Sequence, residues 1–533
     1  MTGKRGRAGA AERVRQVAAE HFGHTSLLPG QEQAMVSLLE GHDVLLVSPT
    51  GSGKSLVYQA SALLIDGPTI VVSPLLALQR DQVAALEGAG EEAAAVRISS
   101  AETEHQRDEA WRALADGGAE FVYLSPEQLA RDDVRGRLRD LHPSLVAVDE
   151  AHCVSAWGHD FRPDYLRLGE LLDDLGRPLV VAVTATAAGP VRDDIVGRLR
   201  LRDPEVIVTG FERPNIALSV VRFADADRQR DALLERVQST DGCGIVYCRT
   251  RREADEIAEA LEARGVETAA FHAGKPARRR HELHDAFQGG AVRVMVATSA
   301  FGMGIDKPDV RFVFHAQVPE SPDTYYQEVG RAGRDGEPAE GVLFYRAEDL
   351  ALGRFFSGGV PDPRDVETVL GAARRPDADR KRIAEATGLG ARRVGRILNL
   401  LEEVLPEEPS SVVDAVIGQA ESHRSLERSR VEMMRAYAET QRCRSDFLLG
   451  YFGEDVDHLC GRCDNCVAGV AGQEAASSAP AEEFGDGRVR HQEFGDGTVM
   501  DVEQDRVTVL FDDVGYRTLD LAVVRENDLL KPA

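Results

Sequence analysis

Residues Ser48 to Ser55 read SPTGSGKS and stand between a short apolar run, Val44 to Val47, and helix-like sequence. Gly51 and Gly53 permit a tight turn in which backbone N–H groups and the positive end of the next helix surround phosphate oxygens. Thr50, Gly51, Ser52 and Gly53 form the cradle, Lys54 supplies a compact positive charge, and the Ser55 hydroxyl faces magnesium. Serine at position 48 replaces the glycine that ordinarily opens this pattern, so the loop needs companions. A second apolar run, Leu145 to Val148, ends in Asp149-Glu150-Ala151-His152. Carboxylates at a strand's C-terminal end lie where open α/β sheets bind ligands. Asp149 is suited to hold magnesium through water, and Glu150 to polarise an attacking water. Loop and carboxylates in this order predict binding and hydrolysis of a nucleoside triphosphate.

Charge that develops on the transferred phosphate needs more than Lys54 and magnesium. The stretch Gln327 to Gly336, QEVGRAGRDG, offers Arg331 and Arg334, three apart and expected on one helical face that reaches a cleft between lobes. An arginine inserted in this way is worth about 10³ to 10⁵ in rate. With the arginine on one lobe and the phosphate loop on another, cleft closure completes the site and hydrolysis reopens it. His152 and Gln327 join Lys54, Asp149, Glu150, Arg331 and Arg334 in the candidate catalytic set.

The elements that must position these residues follow from the apolar pattern. Between about residues 30 and 210, short Val/Ile/Leu runs alternate with helical periodicity, which predicts a doubly wound parallel sheet. A second set of runs from about 211 to 350 predicts another. Beyond them, Arg380 to Thr387, a Gly-Leu-Gly turn and Ala391 to Leu401 read as a helix-turn-helix. Val394, Ile397, Leu398 and Leu401 fall on its core side; Arg392, Arg393 and Arg396 lie elsewhere, either a solvated face or a contact with duplex DNA. Residues Arg488 to Leu530 alternate like the strands of a small β domain. The expected boundaries are 1–210 and 211–350 for the two α/β lobes, 351–410 for the helix-turn-helix, 411–467 for a metal region, 468–485 for a linker and 486–533 for the β domain.

Cys443, Cys460, Cys463 and Cys466 gather with the spacing C-x16-C-x2-C-x2-C, whereas the other three cysteines are scattered. Reduced thiols with one metal site fit best. Four thiolates suit a structural, tetrahedral zinc, and an iron–sulfur cluster is the rival. The formal charge of −26 argues against a polyanionic partner on average, but arginines cluster in 374–396 and 424–444. No run approaches the roughly 20 apolar residues that cross a bilayer, and the basic start lacks the apolar stretch of a secretory signal, so a cytoplasmic protein without a membrane partner is expected.

These motifs together resemble the RecQ family of superfamily 2 DNA helicases, through residues 15 to 350 and 420 to 467. The most specific stretch is Asp149 to Tyr165, DEAHCVSAWGHDFRPDY, whose Trp157, His159, Phe161 and Arg162 resemble the family's aromatic-rich loop. Flat aromatic faces stack bases and Arg162 offers phosphate contact, which would connect DNA to the hydrolytic carboxylates; buried packing is the other reading. Val71 to Leu78, Thr184-Ala185-Thr186, Arg213-Pro214-Asn215, His272-Ala273-Gly274 and Phe301 to Arg311 are similar to the motifs that couple the lobes. Gln31 matches the family's adenine-reading glutamine, although His24 and Leu28 stand where relatives often carry tyrosine and arginine.

The resemblance implies an ATP- and magnesium-dependent helicase that translocates 3′ to 5′ on single-stranded DNA and separates duplexes, in repair or recombination, with zinc as a structural ion. An RNA helicase and a DNA-to-protein tether are the competing readings. The family's usual winged helix after the zinc region is replaced here by the β-rich tail, which is similar to small Tudor-like barrels of some UvrD-type helicases and suggests a protein partner.

Overall fold

The computed structural model describes residues 2–74, 76–88, 90, 93–99, 102–155, 165–302, 307–351, 359–375, 379–404, 412–454, 458–471, 487–502, 506–512 and 514–532. The first lobe contains β1 (Val44–Val47), β2 (Thr69–Val72), β3 (Ala95–Ile98), β4 (Phe121–Leu124), β5 (Leu145–Val148), β6 (Leu179–Thr184) and β7 (Glu205–Val208). They form a parallel sheet in the order β3-β4-β2-β5-β6-β1-β7. Val44 and Leu46 of β1 pack on one side with Met35 and Tyr58, while Leu45 and Val47 pack on the other with Val148 and Ala182. Burial of both faces explains why the central strands read as unbroken apolar runs instead of alternating. The order also sets β1, β6 and β5 side by side, so the segments leaving their C-terminal ends converge.

The second lobe contains β8 (Ile216–Arg222), β9 (Cys243–Tyr247), β10 (Thr268–Phe271), β11 (Val294–Ala297), β12 (Val310–His315) and β13 (Ala339–Tyr345). This sheet is again parallel, in the order β10-β11-β9-β12-β13-β8. Three strands that no apolar run announced, β3, β7 and β8, all lie at sheet edges, and each carries partly exposed residues.

Helices Pro363–Ala373, Arg380–Thr387 and Ala391–Val404 follow, and Gly388 turns between the last two at φ 69°. Val394, Ile397, Leu400 and Leu401 join Ile383, Val366 and Val416 in a core shared with the long helix Val412–Glu439, whereas Leu398 is only partly buried. The helix Arg444–Tyr451 then leads into the cysteine knuckle.

The tail is an antiparallel sheet of β14 (Arg488–His491), β15 (Gly495–Val502), β16 (Arg506–Phe511), β17 (Gly515–Asp520) and β18 (Leu530–Pro532) around Val489, Val507, Val509 and Phe511. Most of the expected linker, from residue 472 on, lies outside the described residues. The sheet is docked on its neighbours: Ser425 Oγ of the long helix donates to Val514 O at 2.9 Å, and Tyr516 stacks on Tyr451 with ring centroids 5.0 Å apart. Gly515, at φ 75°, permits this approach, because a Cβ there would stand 2.5 Å from Ser429 Oγ. Among the described residues no helix is long and apolar enough to cross a membrane.

Candidate functional site

The phosphate loop leaves β1 and enters the helix Lys54–Ala62 through Gly51 and Gly53, at φ 82° and 67°. Both values lie in the left-handed region that glycine tolerates without penalty. Lys54 Nζ donates to Ser48 O at 2.9 Å and Pro49 O at 3.0 Å, so the loop's own carbonyls hold the ammonium in place. Enclosure lowers its pKa to about 8, against the opposing pull of Glu150 and Asp149. Gln31 braces the loop from outside: Nε2 donates to Ser52 O at 2.8 Å and Gly53 O at 3.1 Å, and Oε1 accepts from Leu28 N at 2.8 Å. Leu28 is 52% exposed beside this loop, and His24 is exposed.

Asp149 is buried at the end of β5, and burial raises its pKa. Gln82 Nε2 donates to Asp149 Oδ2 at 3.1 Å and lies 3.4 Å from Ser55 Oγ, which ties the two candidate magnesium residues together. Glu150 adopts φ 50° and ψ 48°, a left-handed backbone that a non-glycine residue holds only under strain. This turn swings its carboxylate to 3.3 Å from His152 Nδ1, which also lies 2.9 Å from Thr184 Oγ1 at the end of β6. Convergence of β5 and β6 thus fixes both acid and imidazole. Gln82 carried no sequence signal, being one polar residue within a helical pattern.

The two arginines part company. The helix Pro322–Val329 stops before them, with Gly330 as its cap, so they do not share a helical face. Arg331 is buried within its own lobe beside Tyr247, with Nη2 3.1 Å from where a Cβ on Gly302 would stand. Arg334 crosses the cleft, and its Cγ and Cδ lie 3.3 Å from the corresponding position on Gly51. Gln327 belongs to the preceding helix.

The connector 209–215 reaches both partners of this contact. Thr209 Oγ1 donates to Ser48 Oγ at 2.8 Å, which donates to Ser52 Oγ at 2.7 Å. Arg213 donates to the carbonyls of Gly330 and Ala332, each at 2.8 Å, and Asn215 Nδ2 to those of Gly333 at 2.7 Å and Glu337 at 2.9 Å. A cavity of about 660 Å³ opens between the lobes, lined by Gln31, Thr50, Gly51, Ser52, Arg213 and Arg334 among others. That volume is within the range of pockets for small ligands and cofactors.

The four cysteine sulfurs lie within 4.8 Å of one another, and Cys460 and Cys466 are 3.8 Å apart. A tetrahedron with metal–sulfur bonds of about 2.3 Å has edges of about 3.8 Å, so the thiols fit a single zinc ion. Backbone N–H groups of Arg444, Cys460, Cys463 and Cys466 each donate to a sulfur at 3.4 Å, which favours thiolates. Arg444 is buried and forks onto Asp464 at 2.6 and 3.0 Å, fastening the knuckle to the helix below.

Of the expected DNA contacts, Trp157, His159, Phe161 and Arg162 lie outside the described residues. Arg392 and Arg393 are exposed and Arg396 is half-buried; Arg393 is engaged in an ion pair with Asp365.

Three family models match the chain: DEAD/DEAH box helicase over residues 28–195, the helicase conserved C-terminal domain over 228–336, and RecQ zinc-binding over 400–467. The chain is 34% identical over 469 residues to the ATP-dependent DNA helicase RecQ of Bacillus subtilis, covering 88% of this chain and 69% of that protein. It is 37% identical to the RecQ of Pasteurella multocida, covering 84% and 61%. A probable ATP-dependent DNA helicase, RecS of Bacillus subtilis, is 40% identical, covering 64% and 68%. The chain therefore spans between 61% and 69% of the length of these relatives.

Among solved structures, the Mycobacterium smegmatis helicase Lhr bound to ssDNA and AMP-PNP aligns with a TM-score of 0.51 at 23% identity, covering 73% of this chain and 57% of that one. The DEAD-box helicase Mss116 bound to ssRNA and UDP-BeF aligns at 0.53 and 16%, covering 76% and 94%. Identities this low show the two-lobed fold alone. The curated relatives and the cysteine-region model go further, and by them this chain belongs to the RecQ family of ATP-dependent DNA helicases.

Proposed function

We propose that the chain couples ATP hydrolysis in the interlobe cavity to 3′-to-5′ movement along single-stranded DNA and to the separation of duplex strands. The observation that carries this reading is Arg334, borne by one lobe and lying against Gly51 in the phosphate loop of the other. A site completed only when two bodies meet converts nucleotide state into lobe position.

In the proposed cycle, the loop amides and Lys54 bind the triphosphate and Gln31 holds the loop in shape beside the base. Ser55 and Asp149 are the residues suited to magnesium, which when bound neutralises phosphate charge. Glu150 takes the proton from the attacking water, while His152, bridged to Thr184, keeps that carboxylate in place. Arg334 stabilises the charge that builds on the departing phosphate, and Arg331 holds the turn that presents it. Gln327, on the helix before that turn, belongs to the same arm.

Zinc in the cysteine knuckle serves structure, since four thiolates leave no open coordination position. Trp157, His159, Phe161 and Arg162 are the proposed contacts to single-stranded bases, Arg392, Arg393 and Arg396 those to the duplex, and the C-terminal sheet the surface for a protein partner. The setting is repair or recombination in the cytoplasm.

Strand displacement on a tailed duplex with ATP tests the reading. The unaltered chain is expected to separate strands, and Glu150→Gln to bind ATP while losing turnover. Displacement without ATP, or full turnover in Glu150→Gln, would overturn it.

A further inference from the structure

The connector between the lobes is fastened by the Thr209–Ser48 hydroxyl contact and by the Arg213–Asn215 clamp, among others. A further fastening comes from the cysteine region. Phe452 stacks on Phe211 with centroids 4.7 Å apart and planes 24° from parallel. The chain then turns through Gly453, at φ 77°, and Glu454 Oε2 accepts a hydrogen bond from Phe211 N at 2.5 Å. Gly210, at φ 83°, leaves room for the carboxylate, since a Cβ there would lie 3.2 Å from Oε1. Phe211 is only 1% exposed, so its N–H has no ready aqueous substitute for this acceptor. From the far side Tyr326 OH donates to Phe211 O at 2.5 Å, so the same residue is gripped by the helix that leads to Arg334.

Glu454 also lines the interlobe cavity. A carboxylate beside a polyphosphate site is electrostatically unfavourable, so attraction for the nucleotide does not account for it. The hydrogen bond to the connector does.

We propose that Glu454 is a positioning residue for the nucleotide, the peg by which the cysteine region sets the connector and, through it, the placement of Arg334 over the phosphate loop. This rests on the ATPase reading above and names a control on the same site. Removing the acceptor frees the connector to shift, and fewer molecules then hold the closed cleft that ATP selects.

The experiment compares Glu454→Ala and Glu454→Gln in the full chain with an oligo-dT activator. Glu454→Ala is expected to raise KM for ATP, and Kd for a fluorescent ATP analogue, by about tenfold, the effect of losing a hydrogen bond to a buried N–H. Its kcat should change much less, zinc content should match the unaltered chain, and the thermal midpoint should fall by no more than about 4 °C, the worth of one hydrogen bond. Glu454→Gln keeps an acceptor oxygen at the same reach and should restore both constants.

An unchanged KM in Glu454→Ala overturns the proposal, as does a Glu454→Gln variant equally impaired. Loss of zinc, or a fall in thermal midpoint well beyond about 4 °C, in Glu454→Ala would assign the residue to folding and overturn it too. Absence of ATP hydrolysis by the unaltered chain is a separate outcome: it overturns the ATPase reading, and the proposal with it.

Discussion

Replacing Arg334 by alanine should remove transition-state stabilisation while sparing ATP binding. The ground-state hold on the triphosphate comes from the loop amides, from Lys54, itself fixed by two carbonyls, and from the rest of the closed cavity's lining, Gln31 and Arg213 included, and none of these depends on Arg334. What Arg334 adds is a guanidinium delivered across the cleft to the loop at Gly51. Inserted arginines are worth about 10³ to 10⁵ in rate, which is about 4 to 7 kcal/mol at about 1.4 kcal/mol per decade. We expect kcat with saturating single-stranded DNA to fall by about three to five decades in Arg334→Ala, with KM within about fivefold. Arg334→Lys should recover part of the loss, because a point charge replaces a planar fork.

Arg331→Ala should differ in kind. That side chain is buried against Tyr247 and Gly302, so its removal should lower the thermal midpoint as well as the rate. Steady-state phosphate release, fluorescent-nucleotide binding and thermal melting separate the two variants. A kcat for Arg334→Ala within tenfold of the unaltered chain, or a loss confined to KM, would refute the reasoning.

The Lys54 ammonium, held near pKa 8 by enclosure, gives a pH signature. Because the value is lowered, the proton leaves as pH rises through about 8, so kcat/KM for ATP should decline above that pH. kcat itself should hold to higher pH, since bound phosphates retain the proton; a kcat/KM profile flat to about pH 9.5 would contradict the assignment. Gly515→Ala combines a left-handed backbone with a Cβ 2.5 Å from Ser429 Oγ and 3.1 Å from Leu426 Cα. At about 1 to 2 kcal/mol for the backbone and about 1 to 3 for overpacking, the docked sheet should loosen and be released sooner in limited proteolysis, with basal ATPase retained. Unchanged protection would show that the sheet is held elsewhere.

Much of this molecule was legible in its residues. Central parallel strands announce themselves because both faces are buried, and the phosphate loop, the DEAH carboxylates and the cysteine spacing are local patterns whose chemistry fixes their surroundings. The edge strands β3, β7 and β8 escaped because partly exposed residues break the apolar run. The divergence of Arg331 and Arg334 escaped because it depends on the helix ending at Val329, just before Gly330. Gln82 and Glu454 escaped for another reason: each acts on a residue far away in the chain, and a single polar side chain carries no mark of a distant partner.

Tyr451 belongs to three parts of the molecule at once. Its ring lies on Tyr516 of the tail, its hydroxyl donates to Asp323 at 2.6 Å, and the next residue is the phenylalanine that covers the interlobe peptide. Asp323 opens the helix at whose far end the cleft-crossing turn begins. Through this one side chain the tail, the arm that presents Arg334 and the segment joining the lobes are packed as a single unit, so a substitution at Tyr451 would be felt in all three.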